Sequence, residues 1–359
     1  MVFNFIALLV FANNVCAQTG FIVKGKVTSM ATGAGLVAAS VFALNTTLGV
    51  ATAADGSFSL SLPNGGYDVA VSYTGYQTEV IRVTTATAND VLQIQLKEKE
   101  KELAVVSVIA SNEVMDGLAK YGDFFKDEFI GKSSNAKRCI IVNPEVLHFF
   151  YSKKKSRLKI TATEPLVIKN EVLGYSIKYD LDSFTHEYLP EISTYSGYPL
   201  YEGMPGDSLQ QWQWAAARQQ AYKGSILHFM RSVYNKTLAE QQFEMQYMQK
   251  KFGKDAAIYV KNWYTALQYQ KDDSTQSVEI MPTQQEVGLL YLPTKPSPEY
   301  LTNNPTEPAN FLFSILSFKP NESIVIEQNG YWYNQNDVTI SGYWAWLKLA
   351  NALPYDYQN

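Results

Sequence analysis

The sequence predicts a β-rich protein of more than one domain: an N-terminal antiparallel seven-stranded β-sandwich followed by an α+β domain. Two observations favour this fold class. Before residue 97, apolar and polar residues alternate in several short segments, which is the period of strands with one exposed face. After residue 207, apolar residues recur three and four positions apart, which is the period of an amphipathic helix.

The clearest strands of the first domain are residues 57–62 and 67–73, where Phe58 and Leu60 alternate with serines. A turn-forming segment, Pro-Asn-Gly-Gly at 63–66, separates them, so we predict a β-hairpin. A hairpin alone is marginal in water and needs partner strands. We predict these partners at residues 21–28, 39–44, 48–53, 78–83 and 91–96.

The spacing of these strand and turn residues resembles the carboxypeptidase regulatory-like domain, which is a transthyretin-like sandwich. The matching positions are Gly25, Val27, Thr32-Gly33, Ala39, Val41, Asp55-Gly56-Ser57-Phe58, Leu62-Pro63, Gly66-Tyr67, Val71-Ser72 and Gly75-Tyr76. Ala34-Gly35 departs from the family by replacing its usual proline-bearing turn. The resemblance implies an accessory domain without catalysis, of a type found beside peptidases and at the front of bacterial outer-membrane receptors.

Residues 1–17 predict a secretory signal peptide. An apolar run over residues 5–12 precedes Val15 and Ala17, which suit a cleavage site before Gln18, although Lys and Arg are missing from the start. Lipidation of Cys16 is the alternative to cleavage. The rest of the chain holds no segment that is long and apolar enough to be a transmembrane helix. We therefore expect an exported protein, either periplasmic or associated with the outer membrane or extracellular.

The sequence divides into residues 18–97 for the sandwich, 98–120 for a linker and 121–359 for the α+β domain. The linker begins with alternating charges and contains one apolar segment at 103–110, a predicted strand. Further strands are predicted at 139–142, 146–151, 158–162, 166–168, 175–179, 185–188, 195–201, from 258 onward, and at 278–281, 286–291, 311–318, 323–326 and 338–341.

Helices are predicted near residues 207–252 and 343–353. Asp207 with Gln210 forms a capping box, and Trp212, Ala215, Ala216 and Gln219 follow at helical spacing. A break at Gly224 precedes a second helix over 226–233. Another capping box at 237–240 predicts a third helix, which carries Phe243, Tyr247 and Met248. The last helix spans 344–353, and the proline-rich segment 293–308 is predicted to be a loop.

A second resemblance covers most of the chain and implies no reaction. Segments such as NPEVLHF at 143–149 and GYWAWLKLANALPYDY at 342–357 resemble a recurrent bacterial secreted architecture, in which a regulatory-like sandwich precedes a domain of no established activity.

Composition argues against a nucleic-acid binder, because the net charge is −4 and the one basic run, at residues 153–155, is typical of a solvated hairpin tip. After signal cleavage Cys139 is the remaining cysteine, so we predict a core residue and neither a disulfide nor a thiolate metal site. His148, His186 and His228 have no zinc-site spacing. Ser225 and His228 lie three apart on a helix, but no acidic partner or nucleophile elbow accompanies them.

We therefore predict no catalytic, cofactor-binding or metal-binding residue and expect no cofactor. The expected function is a non-catalytic exported binding or assembly module of the bacterial envelope, with a protein or glycan partner.

Two alternatives stay open. A hydrolase would use carboxylates of the second domain, and a carbohydrate-binding protein would use exposed aromatic rings. The carboxylate candidates are Asp123, Asp127, Glu128, Asp180, Asp182, Asp272 and Asp273. The aromatic candidates are Tyr195, Tyr198, Tyr201, Trp212, Trp214, Tyr331, Trp332, Tyr333, Tyr343, Trp344 and Trp346, for which a core role is favoured.

Overall fold

The structure is a computed structural model, and it describes residues 20–85, 90–99, 112–251, 254–333 and 335–359. The predicted signal peptide at 1–17, with Cys16, and the predicted strand at 103–110 lie outside the described residues. The fold is β-rich, with 41% strand and 20% helix, which confirms the predicted fold class. The domain boundaries at 97 and 121 stay predictions. Within the described ranges, none of the helices is both long enough and apolar enough to cross a bilayer.

The N-terminal region is a sandwich of two sheets. Its strands are β1 (Gly20–Ser29), β2 (Ser40–Ala43), β3 (Gly49–Ala51), β4 (Ser57–Pro63), β5 (Gly66–Ser72), β6 (Glu79–Thr84) and β7 (Val91–Leu96). One sheet has the order β4-β1-β7 and the other has the order β3-β2-β5-β6. Inward-facing side chains of both sheets, among them Val27, Val41 and Val69, are fully buried in one cluster.

Two details of the sandwich differ from the sequence prediction. The prediction that residues 57–62 and 67–73 pair as a hairpin is wrong. Strand β4 pairs with β1, whereas β5 pairs with β2 and β6 in the opposite sheet. The Asn64-Gly65 turn reverses the chain direction, but it connects β4 in one sheet with β5 in the other sheet. The sheets are not wholly antiparallel either, since β7 runs parallel to β1.

The middle of the chain forms a six-stranded sheet beside helix α1 (Gly117–Phe129). The strands are β8 (Cys139–Ile141), β9 (Leu147–Ser152), β10 (Arg157–Ala162), β11 (Leu166–Asn170), β12 (Tyr175–Glu187) and β13 (Ile192–Gly203). The predicted strands at 175–179 and 185–188 are one strand, β12, with a bulge between Leu181 and Ser183. Residues 153–155 are the exposed turn between β9 and β10, which confirms the solvated hairpin tip. Helix α1 begins inside the predicted linker.

Two helices follow, α2 (Ser208–Tyr222) and α3 (Ile226–Tyr234). The capping box is confirmed, because the Asp207 side chain accepts from Gln210 N and the Gln210 side chain accepts from Asp207 N. Gly224 separates the helices with φ +74°. A Cβ at this position would lie 2.5 Å from the Tyr291 ring, so both backbone conformation and space require glycine.

The prediction of a third helix near 237–252 is wrong, because Phe243–Lys251 forms strand β14. The remaining strands are β15 (Lys254–Tyr259), β16 (Gln270–Lys271), β17 (Val278–Ile280), β18 (Glu286–Tyr291), β19 (Leu312–Phe318), β20 (Ile324–Ile326) and β21 (Val338–Gly342). They form a five-stranded sheet of order β15-β14-β18-β19-β21 and a three-stranded sheet of order β16-β17-β20. A short helix, α4 (Trp263–Ala266), lies between β15 and β16.

The C-terminal part differs from the sequence prediction in two places. Helix α5 (Pro298–Asn303) lies in the predicted loop at 293–308, begun by the Ser297 cap and a proline at its first position. The last predicted helix is broken: α6 (Tyr343–Leu347) ends at Lys348, which has φ +46°, and a 3₁₀ turn over Leu349–Asn351 follows. Pro354 then begins a C-terminal segment, residues 354–359, which contains a turn closed by the hydrogen bond from Tyr357 N to Pro354 O.

Apolar side chains of the second half form two separate clusters. One packs α1 against the six-stranded sheet, and the other fills the space between α3 and the five- and three-stranded sheets. Helix α3 contributes to both clusters, with Leu227 in the first and Phe229, Met230 and Val233 in the second. It therefore joins the two sheet systems.

Candidate functional site

The Ser225 and His228 pair is structural. Ser225 Oγ caps α3 by accepting from His228 N at 3.1 Å. The imidazole Nδ1 accepts from Gly224 N at 3.1 Å, and Nε2 lies 2.9 Å from Gln241 Oε1. A ring that accepts at Nδ1 must donate from Nε2, so the neutral tautomer is fixed. Burial lowers the pKa of His228. Both nitrogens therefore have other partners, and the ring is not placed to take the hydroxyl proton.

The other two histidines do not form a nucleophile–base pair either. His148 Nδ1 lies 2.8 Å from Glu113 Oε1 at the surface. His186 Nδ1 lies 2.9 Å from Ser193 Oγ, which itself donates to Glu128 Oε2 at 2.9 Å. The hydroxyl thus sits between the imidazole and the carboxylate, whereas in a triad the imidazole sits between the other two.

Among the residues that the structure describes, no three His, Cys, Asp or Glu side chains cluster closely enough to hold a metal ion. Cys139 is buried, and its Sγ lies 3.5 Å from Asn135 O. Burial raises the pKa of this thiol to about 12. The prediction of a core cysteine is confirmed, since the thiolate is the reactive form and is disfavoured here.

Three of the seven candidate carboxylates accept hydrogen bonds that support the fold. Asp180 accepts from Thr78 Oγ1 of the sandwich, Asp182 accepts from Ser196, and Asp272 accepts from the backbone of Ser274. Glu128 differs, because together with Asp127 it lines a cavity of about 470 Å³. Glu307, which the sequence did not point to, also lines this cavity.

The aromatic clusters are mainly core. Tyr201, Trp214, Trp332 and Trp344 are each less than 10% exposed, which confirms the core interpretation for them. Trp344 Nε1 also donates to Gly224 O at 2.7 Å. Trp212 and Tyr195 are exceptions, because 69% and 41% of their surfaces are exposed. The extended row of exposed rings that a glycan platform would need is not found among these candidates.

Helix α2 exposes an uncharged face. It packs on the six-stranded sheet through Trp214, Ala217 and Tyr222. Its outer positions include Leu209 and Trp212, and Arg218 is the one charged residue among its fifteen. Exposed helix faces usually carry charged residues, whereas the centres of protein interfaces lack them and are rich in aromatic residues. This face has the composition of a contact surface.

A groove with a volume of about 890 Å³ runs along α2. Trp212, Ala215, Ala216 and Gln219, the stripe with helical spacing, line one wall. The C-terminal segment 354–359 lines the other wall, and Thr47 of the sandwich lies at one end. The stripe that marks the helix in the sequence therefore faces the groove and not the core.

The floor of the groove is fixed by Arg218. Its Nε donates to Leu173 O at 2.6 Å and its Nη2 donates to Gly174 O at 3.1 Å, while the guanidinium lies 4.0 Å from the centre of the Tyr175 ring. A cation held over an aromatic face in this way is stabilised by the ring quadrupole. The positive charge is thereby held in one place at the base of the groove.

The C-terminal wall is anchored at several points. Arg231 of α3 donates from Nη2 to Tyr355 O at 3.0 Å and to Tyr357 O at 2.9 Å. Tyr355 N donates to Asn45 O at 2.7 Å, and Asp356 accepts from Thr47 N at 2.9 Å. The wall is therefore tied both to α3 and to the sandwich.

A partly buried ionic cluster also joins the sandwich to the second domain. Glu327, whose side chain is 6% exposed, accepts from Arg82 Nη2 at 2.8 Å, from Tyr333 Oη at 2.7 Å and from Gly66 N at 3.0 Å. Arg82 also contacts Asp68 at 3.2 Å and lies 3.7 Å from the Tyr333 ring centre. Burial raises the pKa of Glu327 and lowers that of Arg82. The cluster fixes the relative position of the two parts that border the groove.

Comparison with known proteins identifies the front of the chain. Residues 23–108 match the family model of the CarboxypepD_reg-like domain, which confirms the resemblance seen in residues 25–76. No curated protein matches the chain. Among solved structures, a DUF3823 family protein from Bacteroides ovatus is similar over 52% of this chain and 83% of that chain, with 12% sequence identity and a TM-score of 0.18.

Proposed function

We propose that this protein, which carries a carboxypeptidase regulatory-like domain at its front, is a non-catalytic exported binding protein of the bacterial envelope. Its partner is a protein segment that docks in the groove along α2. The observation that carries the proposal is the uncharged, aromatic-bearing face of α2 at a fixed groove between two parts of the chain. Regulatory-like domains are non-catalytic, and the candidate Ser225 and His228 pair is occupied by structural bonds.

A protein partner fits this groove better than a glycan does. A glycan platform needs several exposed rings in a row, whereas Trp212 stands as a single exposed indole beside Leu209, alanines and glutamines. Fifteen helical residues present a face about 22 Å long at 1.5 Å per residue, which suits an extended or helical segment of a partner. The glutamines supply both donors and acceptors to such a backbone.

The test places a photo-crosslinking amino acid at position 212 in intact bacteria that express the full chain. We expect fractionation to find the protein in the envelope or outside the cell, and irradiation to give a discrete protein adduct. The matched control is position 259, where Tyr259 is 71% exposed on another element, β15. A second variant, Leu209→Glu, should abolish the adduct at 212 without lowering the thermal stability.

Three results would each contradict part of the proposal. Retention in the cytoplasm would refute export. Equal adducts from positions 212 and 259, or none from 212, would refute docking along α2. Turnover in a hydrolase panel that one point mutation abolishes would refute the non-catalytic assignment.

A further inference from the structure

We propose that the cavity between α1, α5 and α6 binds a sugar or a similar polyhydroxylated ligand. Its volume is about 470 Å³, which is the size of an ordinary small-molecule site. Strand β21 lines it together with Asp127 and Glu128 at the end of α1, Tyr300 and Glu307 at and after α5, and Trp346 of α6. A neighbouring cavity of about 420 Å³ shares Asp127 and Trp346 with it, so the two line one face of the molecule.

Two polar atoms of this site have no partner in the described protein. Glu307 Oε2 and Trp346 Nε1 are buried atoms without a hydrogen-bond partner, although the Glu307 carboxyl as a whole has a hydrogen bond with the Tyr300 side chain. Buried polar groups in native proteins are nearly always paired, so two orphans at one cavity need an explanation. One of them is a carboxyl oxygen and the other can donate only.

Hydroxyl groups of one ligand can satisfy both orphans, because a hydroxyl can donate to a carboxyl and can accept from an indole N–H. An amine would satisfy Glu307 and leave Trp346 unpaired. A carboxylate or phosphate would satisfy Trp346 and oppose Glu307, Asp127 and Glu128. A ligand with several hydroxyls on an apolar ring therefore fits this site best, since it can also pack against an aromatic side chain.

The charges of the cavity wall also suit a neutral ligand. Glu128 Oε2 accepts from Lys348 Nζ at 2.9 Å, so that carboxylate is already compensated. Although burial opposes it, the hydrogen bonds from Lys348 and Ser193 hold the pKa of Glu128 below its usual value. Burial instead raises the pKa of Glu307, although the hydrogen bond with the Tyr300 side chain opposes this shift.

The aromatic side of the site is held in position. The Tyr300 ring is 3% exposed and makes an edge contact with the Trp346 ring, with 5.7 Å between the ring centres. Both orphan atoms are covered by neighbouring protein atoms. Ligand binding must therefore include a rotamer change of Glu307 or Trp346, and that change moves the indole N–H signal in an NMR spectrum.

The experiment titrates the full chain with neutral hexoses, N-acetylhexosamines and disaccharides while recording the indole N–H signals. We expect one of these saccharides to shift the Trp346 signal, which is assigned by its absence in Trp346→Phe. This variant keeps an aromatic ring and removes only the donor, and Glu307→Gln keeps the size of the acid. Each should weaken binding by about tenfold, the scale of one lost hydrogen bond. Trp212→Phe makes the same chemical change in the α2 groove and should leave saccharide binding unchanged.

Two results would overturn the inference. One is that no saccharide shifts the Trp346 signal, in which case an internal water accounts for the two orphan atoms. The second result is that the Trp346→Phe and Glu307→Gln variants both bind the saccharide as tightly as the wild-type protein does. The inference does not rest on the proposed docking groove, since position 212 reports on the groove and position 346 reports on the cavity.

Discussion

Replacing Glu327 by glutamine tests whether the ionic cluster holds the sandwich against the second domain. Three donors, Arg82 Nη2, Tyr333 Oη and Gly66 N, converge on the two carboxylate oxygens. A glutamine offers one acceptor oxygen and one NH₂ group, so at least one of these donors loses its partner and faces another donor. The variant therefore removes a charge and leaves buried polar groups unpaired.

The magnitude follows from the burial of the partners. Removing one partner of a fully buried ion pair costs about 3–5 kcal/mol. Arg82 has a side chain that is 27% exposed and keeps its contact with Asp68, so we expect about 2–3 kcal/mol. Burial raises the pKa of Glu327 despite the charge of Arg82. The donors that glutamine leaves unpaired contribute to the cost as well as the lost charge.

The assay is urea unfolding together with hydrogen exchange of the Gly66 amide, which Glu327 protects in the wild type. We expect a lower unfolding midpoint and faster exchange at Gly66. The control is Glu202→Gln, which breaks the exposed Lys178 pair and should change the stability by less than about 1 kcal/mol. If Glu327→Gln matched this control, and if Gly66 exchanged at the wild-type rate, the cluster would not hold the two parts together.

Three further predictions concern the core. Burial lowers the pKa of His228, so its stabilising contribution is present above about pH 6.5 and is lost as the pH falls; a urea midpoint that stays constant from pH 7.5 to 5.5 would contradict this. Gly224→Ala should destabilise the protein by about 2 kcal/mol or more, because φ is +74° and a Cβ would overlap Tyr291, whereas Gly203→Ala, with open space, should be nearly neutral in thermal unfolding. Cys139 should react with a thiol reagent only in denaturant, and rapid native labelling would contradict its burial.

Local signals in the sequence predicted local structure well. The capping box of Asp207 and Gln210 depends on residues three apart, and the break at Gly224 depends on one backbone conformation. The error at β14 has a specific cause. Phe243, Met245 and Tyr247 are all buried on one side of a strand, and this period of two competes with the helical spacing of Phe243 and Tyr247.

Pairing between distant segments could not be predicted in the same way. The turn at Asn64-Gly65 specifies a chain reversal, but whether β4 and β5 pair depends on which sheet offers each a partner. The Arg82 and Glu327 contact joins residues 245 positions apart. The groove had a signal that was available in the sequence: a fifteen-residue helix with one charged residue. Glu307 had no such signal, because its significance comes from burial.

The anchoring of the C-terminal wall affects how strongly the groove can bind. Residues 355–357 are tied by Arg231 on one side and by Asn45 and Thr47 on the other, so this part of the wall has little freedom left to lose. Binding of a partner would therefore not be weakened by the entropic cost of ordering that wall. Even a short partner segment could then bind with useful affinity. A substitution at Arg231 would weaken this binding although Arg231 does not contact the partner.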